Sequence, residues 1–198
     1  MILVGQTVPD FRFNYLTPEH EFKKNQLFSE YRTQSPCLIF FYPLDFTFVC
    51  PSELIALHNA MPEFEKRGIK VLTMSVDSEY SHLAWQKTPP SKGGIGSVAF
   101  DMGADVSHHV CQLFGVEHHA AKIALRAAIV IDSHGVVKAE LIHDLPIGRQ
   151  IEEILRIFDA VEHVEKHGEV CPANWQIGKK AMTPTPTGVA EYLSQESK

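Results

Sequence analysis

Residues 37–53 read CLIFFYPLDFTFVCPSE and join an apolar stretch to a helical pattern. The first six residues are all apolar or aromatic, which is typical of a strand buried on both faces. Pro43 ends this strand, and the helical pattern begins near Cys50. Because proline is tolerated in the first turn of a helix and is damaging later, Pro51 places Cys50 in or just before that turn. The thiol of Cys50 is therefore expected at the start of a helix.

Strands and helices alternate after this segment. The hydrophobic periodicity predicts a strand at 69–76, a helix at 79–87, a short strand at 97–100, a helix at 105–114, strands at 127–132 and 136–143 around a turn, and a helix at 150–166. Leu83, Ala84 and Trp85 are the predicted inward residues of the second helix, and Pro62 predicts a kink or break near Met61. The pattern predicts an α/β fold whose sheet is parallel early and ends in a hairpin.

The pattern changes after Gly168. Residues 169–198 contain Cys171-Pro172, an extended polyproline-like stretch at 183–187 and a short helix candidate at 189–193. This segment has no evident core of its own. The sequence therefore predicts one domain over residues 1–168 and a C-terminal arm over residues 169–198.

Charge and hydropathy exclude several classes of function. The chain has 198 residues with 18 Lys+Arg and 24 Asp+Glu, a net charge of −6. Because nucleic-acid binding requires clustered cations, no nucleic-acid partner is expected. The N-terminus lacks a secretory pattern, and no stretch approaches the roughly 18 apolar residues of a spanning helix. We therefore expect a soluble cytoplasmic protein with no membrane partner.

The four cysteines are scattered at positions 37, 50, 111 and 171. No pair has the short spacing of a zinc knuckle or of a CxxC redox motif. Cys37 lies inside the apolar strand and Cys111 on a short helix, so both are predicted to be buried, inert thiols. The histidine pairs at 108–109 and 118–119 do not predict a metal site, because adjacent side chains point apart on a helix. We therefore expect no metal site.

Cys50 is the strongest candidate nucleophile. A thiol at the start of a helix and beside an arginine is ionised more readily at neutral pH. Full ionisation adds only about 30-fold in rate, or about 2 kcal/mol, so fast chemistry needs further donors. Thr47, three residues earlier, could supply one donor to a peroxide oxygen. The alternative is that Thr47 caps the helix and Cys50 is inert.

The segment from Tyr42 to Glu53 resembles the peroxidatic segment of the typical two-cysteine peroxiredoxins, the group of the alkyl hydroperoxide reductase C-component and thioredoxin peroxidase. The resemblance extends over essentially the whole chain. Its further motifs are Pro9-Asp10-Phe11, Ser75-Val76-Asp77-Ser78, Gly93-Gly94-Ile95-Gly96, Leu125-Arg126, Asp144-Leu145-Pro146-Ile147-Gly148-Arg149 and the segment from His167 to Trp175, which contains Cys171-Pro172.

The resemblance implies a thioredoxin-like fold, with a central mixed sheet flanked by helices, and a peroxidase without cofactor or metal. It implies that Cys50 attacks hydrogen peroxide or an alkyl hydroperoxide and becomes a sulfenic acid. It further implies that Thr47 hydrogen-bonds the peroxide, that Arg126 polarises it and that Pro43 shields the pocket. Glu53 and Arg149 match a pair that orients Arg126.

The resemblance also implies a partner subunit. Cys171 matches the resolving cysteine, which forms a disulfide with Cys50 of the other chain in a homodimer. Five such dimers form a ring, a decamer, in many members of this family. Thioredoxin is the expected reductant of the disulfide, and a dedicated flavoprotein or another disulfide reductase is the alternative.

One departure concerns overoxidation. Relatives that are easily inactivated combine a Gly-Gly-Leu-Gly loop with a C-terminal Tyr-Phe pair, whereas this chain has Gly93-Gly94-Ile95-Gly96 and Tyr192-Leu193. Intermediate sensitivity is expected. Two other functions remain open at this point: a cysteine hydrolase that uses a histidine base, and an oligomeric holdase chaperone or redox relay.

Overall fold

The structure, a computed structural model, describes residues 2–196. The chain divides into two compact units, one that ends at Ile151 and one that begins at Glu152. This division falls after the first residue of the helix Ile151–His167, whereas the predicted domain boundary follows that helix at residue 168.

The first unit is built on a seven-stranded mixed sheet. Its strands are β1 (Arg12–Leu16), β2 (Phe22–Leu27), β3 (Cys37–Phe41), β4 (Lys70–Ser75), β5 (Asp101–Ala104), β6 (Arg126–Ile131) and β7 (Val137–His143). Their order across the sheet is β2-β1-β5-β4-β3-β6-β7. The pairs β3–β4 and β4–β5 are parallel, and β6–β7 is an antiparallel hairpin, as predicted.

Six α-helices connect or follow these strands in the described part of the chain. They are α1 (Phe28–Arg32), α2 (Cys50–Lys66), α3 (Glu79–Lys87), α4 (His109–Leu113), α5 (Ile151–His167) and α6 (Pro186–Glu196). A short 3-10 helix spans Pro90–Lys92. The predicted helices at 79–87 and 150–166 are confirmed, and the C-terminal helix is longer than predicted.

Strand β3 lies inside the sheet between β4 and β6. All five of its residues are buried, which explains its unbroken apolar sequence. Cys37 pairs with Lys70 on one side and with Ile131 on the other. The carboxyl end of β3 leads directly into the loop before α2, where the parallel part of an α/β sheet commonly forms a site.

Three local predictions are wrong. Residues 97–100 do not form a strand, because Val98 and Phe100 are buried in an irregular segment and the strand begins at Asp101. The break predicted near Met61 does not occur, because helix α2 continues through Pro62 to Lys66. Proline removes one helix hydrogen bond and crowds the preceding turn, but the burial of Leu57, Met61 and Phe64 stabilises the helix on both sides of it.

The third correction concerns the inward face of α3. His82, Trp85 and Gln86 are buried, whereas Ala84 is exposed and Leu83 is half-buried. The two buried polar side chains have hydrogen-bond partners, which include Asp45 for His82 and Met102 for Gln86. Partnered polar groups can therefore occupy positions that a hydrophobicity pattern assigns to apolar residues.

The second unit contains α5, α6 and the segment between them. Trp175 is buried there, and its indole nitrogen donates to the carbonyl of Lys179 at 3.1 Å. Val170 and Met182 exchange two main-chain hydrogen bonds of 2.8 and 3.0 Å. Within residues 2–196, no helix combines the length and the apolar character that crossing a membrane requires.

Candidate active site

The loop from Tyr42 to Val49 connects β3 to α2 and carries the candidate site on its second half. Thr47 lies in this loop, and Cys50 is the first residue of α2 with Pro51 directly after it, as the sequence predicts. Phe46 has a φ of 54°, in the left-handed region that a bulky residue rarely adopts. The loop therefore needs support from the rest of the fold.

Buried hydrogen bonds centred on Asp45 supply that support. Its carboxylate accepts from Tyr42 Oη at 2.7 Å, from Ser81 Oγ at 2.8 Å and from His82 Nδ1 at 2.8 Å. The main-chain N–H of Asp45 donates to the Asp77 carboxylate at 2.8 Å. These contacts attach the loop to β4 and α3. The sequence prediction missed Asp45 and His82, although Asp45 lies inside the matched motif.

Cys50 is fully buried, and its Sγ has two polar neighbours. Thr47 Oγ1 is 2.9 Å from Sγ and 2.8 Å from the carbonyl oxygen of Leu44. The hydroxyl has one proton for these two acceptors, so it donates to sulfur when Cys50 is a thiolate and can accept from the thiol otherwise. The structure thus brings Thr47 and Cys50 together, as the motif predicts.

Arg126, the first residue of β6, is the second neighbour of the thiol. Its Nη1 lies 3.4 Å from Cys50 Sγ and 2.8 Å from Glu53 Oε2, and its Nε donates to the carbonyl of Leu145 at 2.6 Å. The side chain is buried, so little water screens its charge. Arg126 is therefore held in one orientation with one N–H directed at the sulfur.

Glu53 lies between two guanidinium groups. Arg149 donates to both carboxylate oxygens, with Nε at 2.9 Å and Nη2 at 3.0 Å, and its main-chain N–H adds a third bond at 2.8 Å. Burial alone would raise the pKa of Glu53, but the hydrogen bonds and the charge of Arg149 lower the pKa below its usual value. One carboxylate between two arginines leaves one net positive charge beside the Cys50 sulfur.

Two further predicted residues are Pro43, in the same loop, and Cys171, in the second unit. Pro43 is buried at the start of the loop, directly after Tyr42, and its predicted shielding role stays a prediction. Cys171 is half-buried in the second unit, where its Sγ lies 3.7 Å from the carbonyl oxygen of Ala160. Burial raises the pKa of the Cys171 thiol, and the charge of Arg156 partly offsets this effect.

The other two cysteines are buried, as predicted. Burial raises the pKa of Cys37 to about 12 and, together with the charge of Asp105, raises the pKa of Cys111 to about 12. Both thiols therefore stay protonated at neutral pH. Of the four cysteines, only Cys50 is surrounded by cationic groups and a hydroxyl.

Comparisons with known proteins agree with this geometry. The chain matches the AhpC/TSA family over residues 4–140 and the C-terminal domain of 1-Cys peroxiredoxin over residues 160–195. It is 41% identical to alkyl hydroperoxide reductase C of Buchnera aphidicola over the full length of both chains. It is 42% identical to thioredoxin peroxidase of Echinococcus granulosus, covering 97% of this chain and 98% of that protein.

The fold also resembles solved structures. The reduced 2-Cys peroxiredoxin of Plasmodium vivax superposes with a TM-score of 0.94 at 44% identity, covering 98% of this chain and all of that one. The similarity thus includes both units, and the segment with Cys50 as well as the segment with Cys171.

Proposed function

Because the chain belongs to the AhpC/TSA family of peroxiredoxins, thiol enzymes that reduce peroxides, we propose that Cys50 is the thiol that attacks the peroxide. The observation that carries this proposal is the buried Sγ of Cys50 beside the Thr47 hydroxyl at 2.9 Å and the Arg126 guanidinium at 3.4 Å. Neither neighbour is a base. The arrangement therefore suits a thiolate that needs stabilisation and does not suit a hydrolase that needs a histidine base.

The first step transfers one oxygen atom. The Cys50 thiolate donates an electron pair to the nearer peroxide oxygen and the O–O bond breaks, which leaves a sulfenic acid and, after protonation, water or an alcohol. Negative charge grows on the leaving oxygen during this step. Thr47 and Arg126 are the donors that would stabilise this charge, because both already point at the reacting sulfur.

The next steps regenerate the thiol. We assign Cys171 of a second copy of the chain as the resolving thiol, which attacks the Cys50 sulfenic acid and releases water to form an intersubunit disulfide. A dithiol protein of the thioredoxin type then reduces the disulfide, as the name of the Echinococcus granulosus relative suggests. The cytoplasm, predicted from the absence of a secretory pattern and of a spanning stretch, would supply such a reductant.

This scheme requires a homodimer, and rings of five dimers are the assembly that the resemblance implies. Cys171 is only half-buried, which agrees with access of its thiol to a partner subunit. Sedimentation of the reduced and oxidised protein would measure the assembly. A holdase or a redox relay is not favoured, because the names of the relatives describe peroxide reduction.

The test combines peroxide consumption with nonreducing electrophoresis of three proteins: wild type, Cys50→Ser and Cys171→Ser. We expect peroxide loss and a covalent dimer in the wild type, no peroxide loss in Cys50→Ser, and one turnover without a covalent dimer in Cys171→Ser. Peroxide loss that survives Cys50→Ser would refute the assignment of Cys50. A covalent dimer that survives Cys171→Ser would refute Cys171 as the resolving thiol.

A further inference from the structure

A second group of chemically reactive side chains lies outside the candidate active site. His108, Cys111 and Glu117 each offer one possible ligand atom, and these three atoms lie within 4.8 Å of one another. None of these residues belongs to the cluster around Cys50. The sequence predicts no metal site here because the histidine pairs lack a partner at a regular spacing, yet the structure supplies a thiol and a carboxylate.

We propose that His108 Nδ1, Cys111 Sγ and a carboxylate oxygen of Glu117 bind one divalent transition-metal ion of the zinc class. Nitrogen, sulfur and oxygen donors together suit Zn²⁺ and exclude Mg²⁺ and Ca²⁺, which prefer oxygen ligands alone. Zinc lies about 2.3 Å from sulfur and about 2.0 to 2.2 Å from nitrogen or oxygen. Ligand atoms that already lie within 4.8 Å would need only a small closure around such an ion.

The backbone holds the three residues in place. Asp105 accepts from the main-chain N–H groups of Val110 and Cys111, at 3.0 and 2.8 Å, which keeps the start of α4 rigid. Glu117 forms an antiparallel bridge with Ala124. The ligand atoms therefore come from two fixed segments, so binding would cost little conformational entropy.

The polar contacts of Glu117 orient its carboxylate. Lys122 Nζ donates to Oε2 at 3.0 Å, which leaves Oε1 facing His108. Oε1 lies 2.9 Å from His108 Nδ1 and accepts from Gln112 Nε2 at 3.2 Å. A metal ion would replace the proton between His108 and Glu117. Binding would also release the thiol proton of Cys111, so that a thiolate coordinates the ion.

The site has three protein ligands in this arrangement. A fourth position would be open to water, since the carboxylate of Asp105 is already used by two main-chain donors. The metal would join α4 to the segment that follows it. We therefore expect Zn²⁺ to raise the melting temperature of the protein, because an ion that binds only the folded state stabilises that state.

The test uses the full chain with Cys50→Ser and Cys171→Ser, so that Cys37 and Cys111 are the only thiols. Titration with Co²⁺ should give thiolate-to-cobalt charge-transfer absorption that saturates at one equivalent and disappears in Cys111→Ser. A chelator competition with Zn²⁺ should show a loss of affinity of at least about tenfold in His108→Ala and in Glu117→Gln. His109→Ala, a neighbouring exposed histidine, is the matched control and should retain the affinity.

Three results would overturn the proposal, and the first two concern the proposed ligands. One is the absence of charge-transfer absorption with Co²⁺, and the other is a Zn²⁺ affinity that His108→Ala and Glu117→Gln leave unchanged. The second result decides the question even if Cys111→Ser fails to fold, because His108 and Glu117 are only partly buried. A loss of binding in His118→Ala/His119→Ala alone would assign the metal to that exposed pair and would also overturn the proposal.

Discussion

The thiols of Cys50 and Cys171 differ in their surroundings. Cys50 is fully buried between a hydroxyl and a guanidinium group, with a second arginine and a glutamate behind them. Cys171 is half-buried and has a carbonyl oxygen at 3.7 Å as its nearest hydrogen-bond partner. The fold thus places two hydrogen-bond donors at the sulfur of Cys50 and raises the pKa of the Cys171 thiol by burial.

The largest predicted effect is a loss of stability on substitution of Glu53, whose carboxylate pairs with the two buried arginines near Cys50. Glu53→Gln leaves two buried guanidinium groups without their shared carboxylate. We expect the free energy of unfolding at pH 7 to fall by about 3 to 5 kcal/mol. Urea unfolding followed by circular dichroism would measure the change. An unchanged urea midpoint would mean that Glu53 contributes only to orientation.

The same substitution tests the lowered pKa of Glu53. A carboxylate with a lowered pKa in the folded state contributes stability above its unfolded pKa, about 4.3, and loses that contribution as the pH falls towards the folded value. The difference between wild type and Glu53→Gln should therefore shrink below pH 4.3 and be constant above it. A difference that is equal at pH 3 and pH 7 would contradict the ion pairing.

A smaller effect is expected for Arg126. Arg126→Lys keeps the positive charge but removes the planar guanidinium group, whose Nη1 contacts both Cys50 and Glu53. We expect kcat/KM for peroxide to fall by about 100-fold, or about 2.7 kcal/mol. Stopped-flow measurement of the first turnover isolates this step from reduction by the partner protein. A rate within error of the wild type would show that charge alone is needed.

Thr47 should matter less, because its hydroxyl is a neutral donor to the Cys50 sulfur, whereas the Arg126 guanidinium is a charged one. Thr47→Val keeps the shape and removes the hydroxyl beside the sulfur, and the first-turnover rate should fall by about tenfold. Thr47→Ser retains the hydroxyl and serves as the control. If Thr47→Ser loses rate and Thr47→Val does not, the methyl group and not the hydroxyl supports catalysis.

The smallest predicted effect is a shift to higher pH in the alkylation rate of the Cys171 thiol. Since burial raises the pKa of this thiol, its alkylation by iodoacetamide should reach half of the maximal rate at a higher pH in the folded protein than in urea. The measurement uses reduced Cys50→Ser, and Cys50→Ser/Cys171→Ser reports the background. Equal profiles in the folded and unfolded protein would contradict the environment described for Cys171.

Local sequence patterns predicted some elements well and failed at others. The bounds of α3 and the hairpin of β6 and β7 follow from periodicity and turn residues alone. The N-terminal hairpin of β1 and β2 was missed, although Phe13 and Tyr15 alternate with polar residues in β1. The strand predicted at 97–100 was wrong because apolar residues can be buried without pairing in a sheet.

The sequence by itself determined the position of Cys50, since an apolar strand, a proline and a helical pattern require a strand-to-helix loop at that point. Through the family resemblance it also identified Thr47, Arg126, Glu53 and Arg149, which the structure brings to one cluster. Their motifs are local, so they can be read along the chain.

Only the tertiary structure decided which polar side chains form hydrogen bonds with one another and which possible metal ligands lie close together. The hydrogen bonds that attach Asp45 to His82, and the grouping of Cys111 with His108 and Glu117, join residues whose spacing matches no short motif. Such contacts depend on how helices and loops pack, because a buried polar atom takes whichever partner the fold brings within hydrogen-bond distance.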